Sequence, residues 1–325
     1  GARHPDLASH RPIVPGALVG ICLRLLSCTS GRWSTSDCSL PQQSSTRFET
    51  ASTDRTRTSL LRSSWGSSGS DPRSRAIDVR KLIALVLAGV AATALDASQV
   101  ALPSDSSRPV RFAVIGDAGT GRRPQHEVGE RLAAARSSFP FEFVVMTGDN
   151  MYGRQSPQDF VDKFERPYAA LLEAGVRFYA ALGNHDRPSN RFYEGFNMRG
   201  ERFYTFVMGP VRFVMLDTNA MDRSQLTWLE RVLGDAREPW KIAVFHHPLY
   251  SNARRHGPSV DLRVLLEPVF TRHAVNVVFA GHEHVYERLK PQKGITHFIE
   301  GASGQLRKGD MRPSDSTASR KILRV

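Results

Sequence analysis

From residue 110 onward, short runs of consecutive apolar residues alternate with stretches whose apolar positions recur every three or four residues. The first kind reads as strands buried on both faces, the second as helices with one face on a core. Strands are predicted over 111–115, 141–146, 176–181, 241–245, 275–280 and 296–299, with a hairpin over 203–208 and 211–216 across Gly209-Pro210. Helices are predicted over 124–137, carrying Val128, Leu132 and Ala135, and over 158–174, with Phe160, Phe164, Tyr168, Leu171 and Leu172 on one side. Two more are predicted over 224–233, capped by Ser224, and over 260–270, where Pro268 breaks the spacing. Strands alternating with helices describe an α/β chain.

Upstream of residue 110 this pattern fails. Residues 1–78 hold all three cysteines (Cys22, Cys28 and Cys38), ten arginines, no lysine and dense serine clusters, with no sustained apolar period. Such a segment does not offset its ordering entropy and is expected to be disordered. It reads either as an Arg/Ser-rich tail for an acidic partner or as in-frame translation of DNA ahead of the true start. The residues from Val79 to Ala97 favour the second. Val79-Arg80-Lys81 is basic, 82–92 is apolar, and Ala92-Thr93-Ala94 has small-x-small form, with Ala97 as a second cleavage position. That is the three-part layout of a signal peptide over 79–97, and its apolar run is too short to span a bilayer. A buried apolar helix is the alternative. The layout predicts a secreted or periplasmic protein beginning near Val79, without a stable membrane anchor. Residues 98–109, rich in Pro and Ser, read as a linker to the domain at 110–325.

Composition narrows the partners. Hydrophobic residues at 40% and charged residues at 23% exclude a wholly disordered chain, a collagen and a multi-span membrane protein. The net charge of +12 invites an anionic partner. From residue 98 onward, 32 basic and 25 acidic side chains leave about +7, without a Lys/Arg block or a nucleic-acid module, so no nucleic-acid partner is expected. No cysteine follows residue 79, and stability must come from the core.

Five predicted strands end on metal-ligand residue types: Asp117, Asp149, Asn184 with His185, His246, and His282 with His284. Ligands collect at the carboxyl ends of strands in α/β sheets. Mixed carboxylate, amide and imidazole donors suit Fe, Zn and Mn, and a pair of such ions clamps the attacking and leaving oxygens of a displacement.

The motifs GDAG at 116–119, GDNMY at 148–152, GNHD at 183–186, FHHP at 245–248 and GHEHVYER at 281–288 resemble, in order and spacing, those of the calcineurin-like metallophosphoesterases. Asp149 with Tyr152 resembles the purple acid phosphatase branch. The absence of room for a β-domain between the signal and Val110 points to its small, single-domain, tartrate-resistant type 5-like form. The resemblance implies a four-layer αββα sandwich of two mixed β-sheets flanked by helices, with a dinuclear metal site at the strand ends. It also implies an exported acid-phosphatase-like enzyme that hydrolyses small phosphomonoesters by in-line attack of a metal-bound hydroxide. Asp117, Asp149, Tyr152 and His284 would hold Fe(3+). Asp149 would bridge to Fe(2+), Zn(2+) or Mn(2+) held also by Asn184, His246 and His282. His185 would contact the phosphate, Asp186 would orient His185, and His256 would protonate the leaving group. His247 is left outside the site, and Glu283 and Tyr286 stand behind the ligands. Arg122 and Arg123 read as a solvated pair.

Two other readings stay open: a metal-dependent phosphodiesterase for nucleotides or phospholipids on the same ligands, and a non-catalytic secreted binder of acidic polymers. After 301–304 the family continues through further strands, so the sheet is expected to close differently here or the sequence to be cut short.

Overall fold

Period-two alternation inside the apolar runs decides which layer each side chain joins. The computed structural model describes residues 24–29, 32–36 and 109–321, all within one of the two units of the chain, residues 1–39 with 99–325. The signal-peptide reading over 79–97, the linker up to 108 and nearly all of 1–78 lie outside the described residues.

One sheet has five strands. β1 (Arg24–Thr29) and β2 (Arg32–Ser36) form an antiparallel pair, and β1 adds antiparallel to β3 (Val110–Ile115). β4 (Phe143–Met146) and β5 (Arg177–Ala180) continue parallel from β3, giving the order β2-β1-β3-β4-β5. The other sheet has seven strands. Its parallel centre is β7 (Val211–Met215), β8 (Trp240–Val244), β9 (Val277–Ala280) and β11 (Thr296–Glu300). β6 (Tyr204–Met208) pairs antiparallel at one edge, and β10 (Tyr286–Leu289) with β12 (Thr317–Lys321) at the other.

Phe112, Phe143 and Val145 of the first sheet meet Phe213, Ile242, Val244 and Phe279 of the second in one core. The rings interlock edge to face, with Phe112 5.1 Å and Phe143 5.5 Å from Phe213. The alternate residues Ala113, Ile115, Val144 and Met146 face outward, in one core with Val128 and Leu132 of α1 (Arg123–Ala135). Val214, Ala243 and Val278 do likewise with Leu229 and Val232 of α4 (Arg223–Asp235) and Leu266 and Phe270 of α5 (Val260–Arg272). Helix, sheet, sheet and helix thus stack as the resemblance implies.

Several local expectations change. The helix expected over 158–174 is divided into α2 (Pro157–Phe160), a π-helical turn (Val161–Glu165) and α3 (Ala169–Glu173), with Pro167 at the break. A capping box between Ser156 and Asp159 starts α2. The cap of α4 is Asp222, which accepts from the Gln225 N–H; Ser224 bonds to Asp222 instead. α5 runs through Pro268, because the carbonyl left without a donor belongs to Val264, which is 68% exposed and open to water. β10 and β12 were not foreseen, and β12 is the strand that borders the sheet beyond 301–304. β1 and β2 lie inside the segment expected to be disordered. The ladders of β2 to β1 and of β1 to β3 are made by backbone groups and need no apolar period. Among the described residues, no helix is long and apolar enough to cross a membrane.

Candidate metal centre

Both sheets deliver polar residues at the same edge of the molecule's core. Asp117 follows β3, Asp149 follows β4, Asn184 and His185 follow β5, His246 follows β8, and His282 and His284 follow β9. Asp117, Asp149 and His282 have left-handed backbones, with φ of 55°, 51° and 69°. That conformation costs a non-glycine residue roughly 1–2 kcal/mol. It persists because neighbours enforce it: the His282 N–H donates to Asp117 Oδ2 at 2.9 Å, and the His185 N–H donates to Asp149 Oδ1 at 2.9 Å. The strand-end glycines permit the close approach. A Cβ on Gly183 would lie 2.2 Å from the Asp149 nitrogen, and one on Gly281 would lie 2.5 Å from Asp117 Oδ2.

The donor atoms turn toward one another. Around Asp117, the Tyr152 hydroxyl donates to Oδ1 at 3.1 Å and lies 3.2 Å from His284 Nε2, which is itself 3.3 Å from Oδ1. Around Asp149, His246 Nε2 lies 3.4 Å from Oδ1, 3.0 Å from Asn184 Oδ1 and 3.2 Å from His282 Nδ1. Donor atoms of Asp117, Asp149 and His246 fall within 4.8 Å of one another. All seven expected ligands are therefore brought together, in two lobes with Asp149 beside both.

Burial pushes five of the titratable groups here toward their neutral forms. The Asp117 carboxyl is held well above the carboxylate range by burial and then by the Asp149 charge. The Tyr152 phenol rises through burial and then through Asp117 and Asp149. Burial draws His246 well down, His282 to about 2 and His284 to about 4. Among the described residues, the ion pairs of both carboxylates are with histidines only, with no lysine or arginine. Two buried carboxylates, a phenol, an amide oxygen and neutral imidazole lone pairs facing one another fit cations: charge at the centre offsets the burial and favours the ionised ligands. His246 Nδ1 lies 3.1 Å from the Thr147 carbonyl, which fixes the ring and leaves Nε2 for the centre.

The family model for calcineurin-like phosphoesterase matches residues 110–286, more than half of the chain and all seven donors. The chain belongs to the calcineurin-like phosphoesterase family. Similar proteins include tartrate-resistant acid phosphatase type 5 of Oryctolagus cuniculus, 28% identical over 236 residues (59% of this chain and 72% of that protein). Purple acid phosphatase 21 of Arabidopsis thaliana is 31% identical over 209 residues, 57% of this chain and 46% of that protein. Among solved structures, the GAP50 anchor of the inner membrane complex of Plasmodium overlays with a TM-score of 0.56 at 19% identity, covering 66% of this chain and 78% of that one, a likeness of fold.

In this phosphoesterase the remaining residues divide. His185 projects its ring at the mouth, 4.7 Å from the Tyr152 ring, with Nε2 4.0 Å from Asp149 Oδ2. His256 is exposed and its ring lies 4.2 Å from that of His282. Asp186 corrects the expectation: among the described residues it makes no hydrogen bond to His185. Its Oδ2 accepts from the N–H of Gly183 (2.8 Å) and Asn150 (3.1 Å) and from Asn150 Nδ2 (2.9 Å). Its Oδ1 accepts from the Met151 N–H (2.9 Å) and Asn190 Nδ2 (3.3 Å). Five donors bind both oxygens, so Asp186 bolts the loop after β4 to the loop after β5. Burial pushes its carboxyl up to about 7 against those bonds.

Three features were missed or underrated. His247 groups with His246 and His282, its ring 4.6 Å from that of His282, and Thr218 Oγ1 holds its Nδ1 at 2.9 Å. The FHHP doublet was the signal. Glu283 is fully buried, and its Oε1 accepts from the N–H of both His256 and Gly257, so it fixes the His256 loop. Glu287 holds the start of the same loop through the Asn252 N–H (2.9 Å) and Asn252 Nδ2 (2.7 Å). Arg122 and Arg123 are exposed, as expected, and Arg202 is tied to Asp217 and Asp222.

Proposed function

We propose that the chain is an exported, dinuclear-metal acid phosphatase that hydrolyses small phosphomonoesters. The observation that carries this reading is the convergence of seven donor side chains from five strand ends on one centre, in a chain whose relatives include acid phosphatases. The signal-peptide layout at 79–97 supports export.

Asp117, Asp149, Tyr152 and His284 would hold one cation, taken as Fe(3+). Asp149, Asn184, His246 and His282 would hold the other, Fe(2+), Zn(2+) or Mn(2+). When bound, the pair supplies Lewis-acid polarisation of the phosphoryl oxygens and lowers the pKa of water. The phenol of Tyr152 loses its proton only to a cation strong enough to outweigh burial and two carboxylates, which favours a trivalent ion at its lobe.

The protein's own groups do the rest. His185 donates from Nε2 to a phosphoryl oxygen and holds the charge that develops there. His256, at the mouth beside His282, gives a proton to the leaving oxygen. Its imidazole is held below the ordinary value by burial and by Arg307 and Arg255, which makes it a stronger acid and suits acidic working conditions. Asp186 and Glu283 position, by fixing the Asp149 and His256 loops.

The test compares hydrolysis of a phosphomonoester and a phosphodiester of the same alcohol by the metal-loaded chain. A faster monoester supports the proposal. A faster diester converts it to a phosphodiesterase, and salt-sensitive binding of an acidic polymer without hydrolysis of either replaces it with a binding protein.

A further inference from the structure

Beside the metal centre lies a cavity of about 630 Å³, within the size range of small-molecule sites. Asn184 and His247 line it, and both are tied to the centre through His246 and His282. Pro258, Val260, Asp261 and Leu262 line it as well. Pro258 stands two residues after His256, so this part of the lining and the proton donor share one segment, whose backbone Glu283 fixes at His256 and Gly257. Asn184 and His247 thus open the space directly onto the centre, where an ester held there extends its alcohol.

The lining sets what that alcohol is. Pro258, Val260 and Leu262 give an apolar face, with Val260 held 49% exposed at the rim. Asn219 and Thr218 add an amide and a hydroxyl. Asp261 is the sole acidic residue of the lining, and no lysine or arginine joins it. Arg255 and Arg307, which act on His256, lie outside this lining.

We propose that this cavity is the leaving-group subsite and selects uncharged alcohols with one apolar face, such as a nucleoside or an aryl alcohol, over small polyols and over leaving groups that carry further phosphates. The inference rests on the phosphatase reading above. The experiment uses the full metal-loaded chain and three substrates: adenosine 5′-monophosphate, glycerol 3-phosphate (also a primary alcohol) and adenosine diphosphate, read at its terminal phosphate. The expected kcat/KM for the monophosphate exceeds that for glycerol 3-phosphate by about 10-fold or more, the worth of one apolar contact face. Val260→Glu brings the ratio of kcat/KM for the monophosphate to that for glycerol 3-phosphate down toward one. Asp261→Lys, at an exposed position, raises the diphosphate relative to the monophosphate by about 10-fold. Hydrolysis with substrate ratios unchanged in both variants overturns the inference alone. Absence of hydrolysis of all three overturns the phosphatase reading and this inference with it.

Discussion

Replacing Asp186 by asparagine separates two roles for a residue that adjoins a candidate catalytic histidine in sequence. The substitution keeps size and shape and exchanges one acceptor oxygen for an NH₂ group. The amide settles with its oxygen at the Oδ2 position, where it retains three donors, and its nitrogen at the Oδ1 position. There it faces the Met151 N–H and Asn190 Nδ2. Asn190 keeps Gln155 Oε1 as a partner at 2.9 Å, so the Met151 N–H is the group left buried and unpaired, at a cost of about 1–3 kcal/mol. The three retained bonds lose their charge assistance, about 1 kcal/mol each, while the burial that raises the native carboxyl to about 7 no longer acts on a charge, an offset of similar size. The net cost is about 1–3 kcal/mol, a sizeable part of a typical stability of 5–15 kcal/mol. At roughly 2–4 °C per kcal/mol for a domain of this size, Tm should fall by about 5 °C. The assay is thermal unfolding at pH 8, where the native carboxyl is ionised, with metal content and kcat per loaded enzyme measured alongside. The expected result is a lower Tm and weaker metal retention with kcat per loaded site near native. A native Tm with a collapsed kcat would refute the bolt and restore Asp186 as the orienter of His185.

Three further outcomes derive from the same geometry. His185→Ala should keep both metals and lose turnover by roughly 10²–10⁴-fold, since the ring contributes charge stabilisation and is not counted among the ligands; metal loss in that variant contradicts the assignment. His256 must be protonated to act, and its value lies below the ordinary 6.5, so kcat should decline on an alkaline limb that begins below pH 6.5. His256→Gln should abolish that limb, and its persistence assigns it elsewhere. His297 is buried and burial lowers its imidazole from 6.5 to about 4. The unfolded chain therefore binds a proton that the native state refuses between those values, and stability falls as pH drops through that window, by about 3 kcal/mol at its end. His297→Phe should flatten the decline in a denaturant titration repeated at pH 7 and pH 4; an unaltered slope denies His297 the role.

The parallel strands were legible because burial on both faces makes each a continuous apolar run, and the turns after them carry the donor residues as motifs. That is how Asp117, Asp149, Asn184, His246, His282 and His284 were read from sequence and found together. β1, β2, β10 and β12 were not legible. They are antiparallel additions held by backbone ladders, and Tyr286-Glu287-Arg288 carries two charged residues with Glu287 fully buried. Asp186 misled because adjacency to His185 says nothing of direction, and five donors from other loops decide it. Glu283 lies between two ligands in the motif, yet its carboxylate reaches a loop 26 and 27 residues away. Thr218 and Asn219 follow β7 without any motif, so the cavity they line was invisible before the fold was known.

The central claim is that these seven side chains hold two cations. The most direct measurement is metal content per chain, with the visible spectrum, for the purified protein and for Asp149→Ala and Tyr152→Phe. The account predicts two metals per chain including iron, near-complete loss of both in Asp149→Ala, and a visible phenolate-to-iron band that disappears in Tyr152→Phe. Full occupancy in Asp149→Ala, or a native protein that takes up no metal on reconstitution, would contradict it.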